Sequence, residues 1–192
     1  MLITEGVYEA RYGWTRRTVG LMLLCALFVV GLLLPDSSGG ILTLTLQVLG
    51  LALFGGGGLV MAYGCASRRV ALRVDADGIL LGGNPLRYAA TTLLVPWSEV
   101  TGVRLWLQQV PLSSMPHIGV NRVPGASRLP GTPTGVHGRA VVEGLSGVSA
   151  ELVSASRAVN GWTLDTDALL ATVGRHAPGV VITMDPGFPC RR

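Results

Sequence analysis

Three histidines, His117, His137 and His176, and three cysteines, Cys25, Cys65 and Cys190, are the side chains best able to hold a metal or supply a nucleophile. Their spacing serves neither purpose. There is no CxxC and no Cys/His ligand pair, and the cysteines fall inside apolar runs or in the C-terminal tail. Ser98 and Ser114 lack the small-residue elbow that exposes a hydrolase serine. Asp165 and Asp167 could form a carboxylate pair. The same residues also suit the first turn of a helix, with Asp165 as its N-cap. No P-loop and no GxGxxG occurs. The glycine tract Gly55-Gly56-Gly57-Gly58 lies in an apolar helix, where it cannot cradle a phosphate. The expectation is therefore a non-enzymatic chain, with no catalytic, cofactor-binding or metal-binding residue.

The elements that would carry these residues divide the chain in two. Residues 18–34 and 41–66 are apolar runs, and the second has Gln47 as its only strongly polar side chain. As helices they reach about 25 Å and about 39 Å at the α-helical rise, enough to cross a hydrocarbon core of about 30 Å, the second by tilting. The segment between them, Pro35–Gly40, has no basic residue. Arg11, Arg16 and Arg17 precede the first run, and Arg68, Arg69 and Arg73 follow the second. This asymmetry predicts a transmembrane hairpin with both termini cytoplasmic in the cell membrane. Tyr8, Tyr12, Trp14 and Tyr63 are read as interfacial belt residues. Thr15-Arg16-Arg17-Thr18 loosely resembles a twin-Arg export signal, but no small-x-small cleavage site follows before the second run.

The glycine tract is the candidate helix-packing contact, because small residues let membrane helices approach closely. Packing against the first helix, a contact between chains, and a hinge all remain open. Gln47 is expected to hydrogen-bond across helices.

All 15 basic residues are Arg. Residues 70–185 hold eight Arg and eight acids, so the net charge of +4 belongs to the flanks and tail. The high pI is thus an orientation signal; it implies no nucleic-acid partner and no strong capture of anionic headgroups by the domain.

From residue 68 the pattern changes to period two. Val70–Asp75 and Ile79–Leu81 read as strands around an Asp-Gly turn, followed by Thr91–Val95 and Thr101–Val110. Trp97 is expected under the sheet, with Glu99 facing solvent or capping a turn. Trp106, out of phase with Leu105 and Leu107, is expected on the outer face as a candidate surface contact. Residues 111–137, with Pro111, Pro116, Pro124, Pro130 and Pro133, read as a long mobile loop. Strands are expected again at Arg139–Glu143 and Glu151–Val159. Trp162 then staples into the core before a helix over Thr166–His176, with Leu169, Leu170 and Val173 as its apolar stripe. Val180–Met184 is a last strand or an extended tail.

The segments Asp75-x-Asp-Gly-Ile79, Val95-Pro-Trp-Ser-Glu-Val100-x-x-Val103 and Gly161-Trp-x-Leu-Asp165, before a helix ending at His176-Ala-Pro-Gly179, resemble bacterial PH-like domain membrane proteins. These are small actinobacterial proteins with two transmembrane helices and a cytoplasmic PH-like domain. The resemblance spans roughly residues 68–184 and implies no catalytic residue. The expected fold is α+β: a cytoplasmic segment 1–17, a transmembrane hairpin 18–66, a PH-like bent antiparallel sheet or partial barrel with a C-terminal helix over 68–184, and a tail 185–192. The expected function is a membrane-anchored adaptor or scaffold that binds a protein or peptide near the inner leaflet, or forms a homo-oligomer. A membrane-tethered ligand sensor, or an accessory subunit of a larger membrane complex, is the alternative.

Overall fold

The computed structural model describes residues 6–34, 40–110, 113–127, 129, 132 and 135–189. The Pro35–Gly39 connection and Cys190 lie outside them. The fold is α+β. Strand β1 (Tyr8–Arg11) leads into helix α1 (Arg16–Leu33). A second apolar helix runs Ile41–Ala66, as α2 (Ile41–Gly50), a π-helical turn (Leu51–Gly56) and α3 (Gly57–Ala66). Both long helices expose most of their apolar side chains, as with Leu23, Leu27, Leu42 and Leu59. By length and composition each could cross a membrane.

The remainder forms two four-stranded sheets. The first has the order β1-β2-β3-β4, with β2 (Val70–Val74), β3 (Gly78–Leu81) and β4 (Leu93–Pro96). The short helix α4 (Tyr88–Thr91) links β3 to β4. The second sheet has the order β7-β6-β5-β8, with β5 (Val100–Val110), β6 (Ser113–Arg122), β7 (Ser156–Ala158) and β8 (Val181–Met184). It is mixed, since β8 runs parallel to β5, and the two sheets do not close into a barrel. The core lies between them. Leu72, Val74, Ile79 and Val95 meet Val103, Leu105, Ile118 and Val120, and Leu169 and Val173 of α7 (Thr166–His176) cover one end. Trp162 is buried in this cluster, its Nε1 donating to the Ala158 carbonyl at 3.0 Å. Asp165 caps α7 by accepting from the Ala168 N–H at 2.9 Å.

Four expectations need correction. The segment 111–137 contains β6, a ten-residue partner of β5. Pro116 hides this strand in the sequence, because proline cannot donate to a ladder. Here its carbonyl accepts from the Val159 N–H at 2.7 Å just past the end of β7, so little pairing is lost. Arg139–Glu143 belongs to helix α5 (Val136–Ser146), which ends at left-handed Gly147, whose N–H bonds to the Glu143 carbonyl. Short apolar runs fit helix and strand alike. Ala150–Ser154 is helix α6, with Ser149 as its N-cap, and only Ser156–Ala158 is strand. Glu99 takes the Arg122 guanidinium instead of facing water, with Nε–Oε2 at 3.1 Å.

The N-terminal segment is the largest surprise. Residues Tyr8–Arg11 are not a flank but an edge strand, antiparallel to β2. Tyr8 is buried in the core rather than at an interface, and its hydroxyl accepts from the Asp165 N–H at 3.0 Å. Burial pushes the phenol up to about 12, well above its ordinary value. Burial favours the neutral form, so this contribution is whole below pH ~10 and is lost as pH rises toward 12. Thermal unfolding followed from about pH 9 to about pH 12 should show this alkaline loss, and Tyr8→Phe should flatten it.

Candidate functional site

The glycine tract falls at the π-helical turn and just beyond it. Gly55 and Gly58 face α1: a Cβ there would lie 3.9 Å from Val29 Cγ2 and 3.6 Å from Cys25 Cβ. Gly56 and Gly57 have nothing within 4 Å. Two of the four glycines thus lie beside α1 within the chain. Neighbouring contacts hold the same seam. Phe28 and Phe54 stack at 4.5 Å, and Gln47 Nε2 donates to the Leu32 carbonyl at 3.4 Å.

Trp106 is on the outer face of the second sheet, as its phase requires, but it is not a surface contact. It is 3% exposed, beneath Val148 and Leu152, and stacked on His117 at 5.3 Å. The covering element is α6, within the span Glu151–Val159 expected as a strand. Gly119 permits this packing, since a Cβ there would meet Trp106 Cζ3 and Leu152 Cδ1 at 2.8 Å.

The remaining chemistry-bearing residues are spread over the domain. His176 ends α7 and contacts the Gly6 carbonyl at 2.5 Å, His117 sits in β6, and His137 is exposed on α5. Among the described residues no group of three His, Cys, Asp or Glu could hold a metal ion. Asp165 is occupied as a cap and Asp167 is exposed.

What the structure does assemble lies where the helices meet the sheets. Three residues, Ser67–Arg69, join α3 to β2, and Arg68 takes a left-handed conformation (φ 47°). Non-glycine residues pay about 1 kcal/mol or more for that region, so the turn is held by its surroundings. Arg11 donates to the Arg68 carbonyl, and Tyr12 N–H bonds the Arg69 carbonyl at 2.9 Å. Arg69 donates to the Pro85 carbonyl at 2.9 Å and lies 5.1 Å over the Tyr88 ring. Gly13 N–H bonds the Gly161 carbonyl at 2.8 Å, fixing the entry to α1. The helices are thus docked on the sheets rather than tethered to them.

At this junction Arg157 of β7 reaches the first sheet. Its Nε donates to the Gly82 carbonyl at 2.7 Å, and its terminal nitrogens donate to the Thr91 and Ser156 carbonyls at 2.5 and 2.7 Å. No carboxylate pairs with it among the described residues. Burial lowers its pKa, and the neighbouring Tyr12 phenol acts in the opposite sense. A guanidinium remains charged throughout the physiological range, so this is a half-buried positive charge without a counter-charge among the described residues. It lines a cavity of about 480 Å³ with Tyr12, Asn84 and Asn160. An adjoining cavity of about 390 Å³ shares Tyr12, Asn84 and Asn160 and continues between the helices past Arg17, Leu21 and Val60.

Sequence reasoning missed this site. Its residues come from β1's end, the β3–α4 link, β7 and both long helices, which lie far apart in the chain. The one local signal is Arg157 itself, a charged side chain amid small and apolar residues. No protein-family model, curated protein or solved structure matches the chain.

Proposed function

We propose that this chain is a membrane-anchored, non-enzymatic adaptor whose PH-like domain lies at the cytoplasmic face and binds a protein or peptide near the inner leaflet. One observation carries the anchoring half of the reading. The two apolar helices are inserted between β1 and β2, which pair with each other. Both ends of the hairpin are therefore held on one side of any bilayer it crosses, which supports an even number of crossings. The flanking arginines support the cytoplasm as that side. The same pairing disfavours an export signal, because cleavage after the first helix would strip β1 and Tyr8 out of the core.

The binding half rests on β8. It is an edge strand of the second sheet, and Val181 and Met184 stand exposed on it. An open edge with apolar side chains suits an extended peptide adding as a further strand. Protein solubilised from its native membrane is expected to co-purify with a partner, and Met184→Pro, which removes an N–H facing the open edge, is expected to release it. Recovery of the protein alone and monomeric would sink the adaptor reading. Reporter fusions test the topology separately: both termini should report cytoplasmic, and an external C-terminus would overturn the orientation.

A further inference from the structure

The junction cavities combine two surfaces that seldom meet in one groove. The end inside the domain carries the Arg157 guanidinium, which has no carboxylate partner among the described residues, with Tyr12, Asn84 and Asn160 around it. The end between the helices is apolar, walled by Leu21, Val60 and Leu86, with Arg17 at its rim. Leu21, Val60 and Leu86 are exposed, so the groove opens sideways onto the surface that the hairpin turns toward lipid. We infer that this groove is a binding site for an anionic phospholipid, the phosphate lying against Arg157, an acyl chain against Leu21 and Val60, and Arg17 at the rim adding attraction for the anionic headgroup.

Charge complementarity selects the occupant. Backbone carbonyls satisfy some of the N–H groups of Arg157 but none of its charge. A phosphate would supply both the acceptor oxygens for the remaining N–H groups and the missing counter-charge. Asn84 fits the same role. Its Oδ1 accepts from the Leu86 N–H at 2.9 Å, which leaves its amide NH2 to donate. A free phosphate would use the polar end alone and leave the apolar wall without a partner. A zwitterionic lipid also brings a phosphate, but its ammonium cancels the net negative charge that an arginine-lined groove favours, so the preference is for the anionic headgroup. The domain's zero net charge is no obstacle, because one desolvated guanidinium acts locally where a diffuse surface charge is screened. The site concerns lipid held at the hairpin, so it rests on the membrane reading but not on the adaptor reading.

The test uses the full chain in neutral detergent, titrated with dihexanoyl phosphatidylglycerol, dihexanoyl phosphatidylcholine or inorganic phosphate, with bound ligand counted by native mass spectrometry. Phosphatidylglycerol should bind about tenfold more tightly than phosphatidylcholine. Arg157→Gln should abolish that preference. Since Arg157 also ties β7 to the first sheet, two further variants guard against misfolding: Arg17→Gln at the exposed rim, and Met61→Trp to fill the apolar end. Each should weaken phosphatidylglycerol binding about fivefold or more while leaving thermal stability unchanged. Equal binding of the two lipids would overturn the proposal, as would a preference that survives Arg17→Gln combined with Met61→Trp. Displacement of the lipid by an equal concentration of inorganic phosphate would also overturn it, since the ligand would then be the free anion. Loss of partner capture with lipid preference intact would count against the adaptor alone.

Discussion

Gly82→Ala is expected to destabilise the domain by about 3 kcal/mol or more, at the upper end of what overpacking costs. A Cβ at this position would stand 1.9 Å from the Val70 carbonyl oxygen and 2.9 Å from Ala71 Cα. Both are backbone atoms of β2, and no rotamer change can move them aside. Gly82 is also tied at both of its own polar groups. Its N–H bonds the Ala71 carbonyl at 2.9 Å, and its carbonyl accepts from Arg157 Nε. Pushing β2 away would therefore disturb the first sheet, the base of the helices and the junction groove together. Thermal unfolding of the full chain in detergent should fall by about 10 °C. Gly56→Ala is the control, because a Cβ there meets nothing within 4 Å, and it should be tolerated or slightly stabilising. Similar melting for both variants would refute the packing described for Gly82.

Trp106→Ala is expected to cost about 3–5 kcal/mol, the range for deleting a buried aromatic side chain. The argument is burial. Trp106 is almost fully enclosed by Val148, Leu152 and the His117 ring, and together they attach α6 and its neighbours to the second sheet. Removing it should leave a cavity and loosen the segment from Val136 to Ser154, which limited proteolysis would detect. A Trp serving as an exposed contact would behave differently, with a change within about 0.5 kcal/mol and a loss only of partner binding. The two roles thus give opposite readouts for stability.

Trp106 also shows how far residue order alone reaches. Period two placed it opposite Leu105 and Leu107, and that phase is the one observed. Whether an outer face is wet depends on what crosses it, and α6 lies 44 to 48 positions further along the chain at Ala150–Ser154. Strands with turn chemistry were legible for the same local reason. Asp75 to Gly78 joins β2 and β3 as expected, and Asp165 caps α7 where a cap was expected. The strand β6 was not legible, because Pro116 and Gly119 contradict strand propensity. Each is tolerated for a tertiary reason, one by the end of β7 and the other by the packing of Trp106 on Leu152.

The sequence by itself determined the two apolar helices, their arginine flanks, the early hairpin of the first sheet and the capped terminal helix. All of these follow from interactions within a few residues or from bulk hydropathy. Only the tertiary structure decided that β1 pairs with β2 across the whole hairpin, and that Arg157, Tyr12, Asn84 and Arg17 surround one groove. Pairing across such a span leaves no periodicity in either partner. A groove built from five separate elements exists only once the chain has folded, because the fold brings Arg157 there and sets no carboxylate of the described residues beside it.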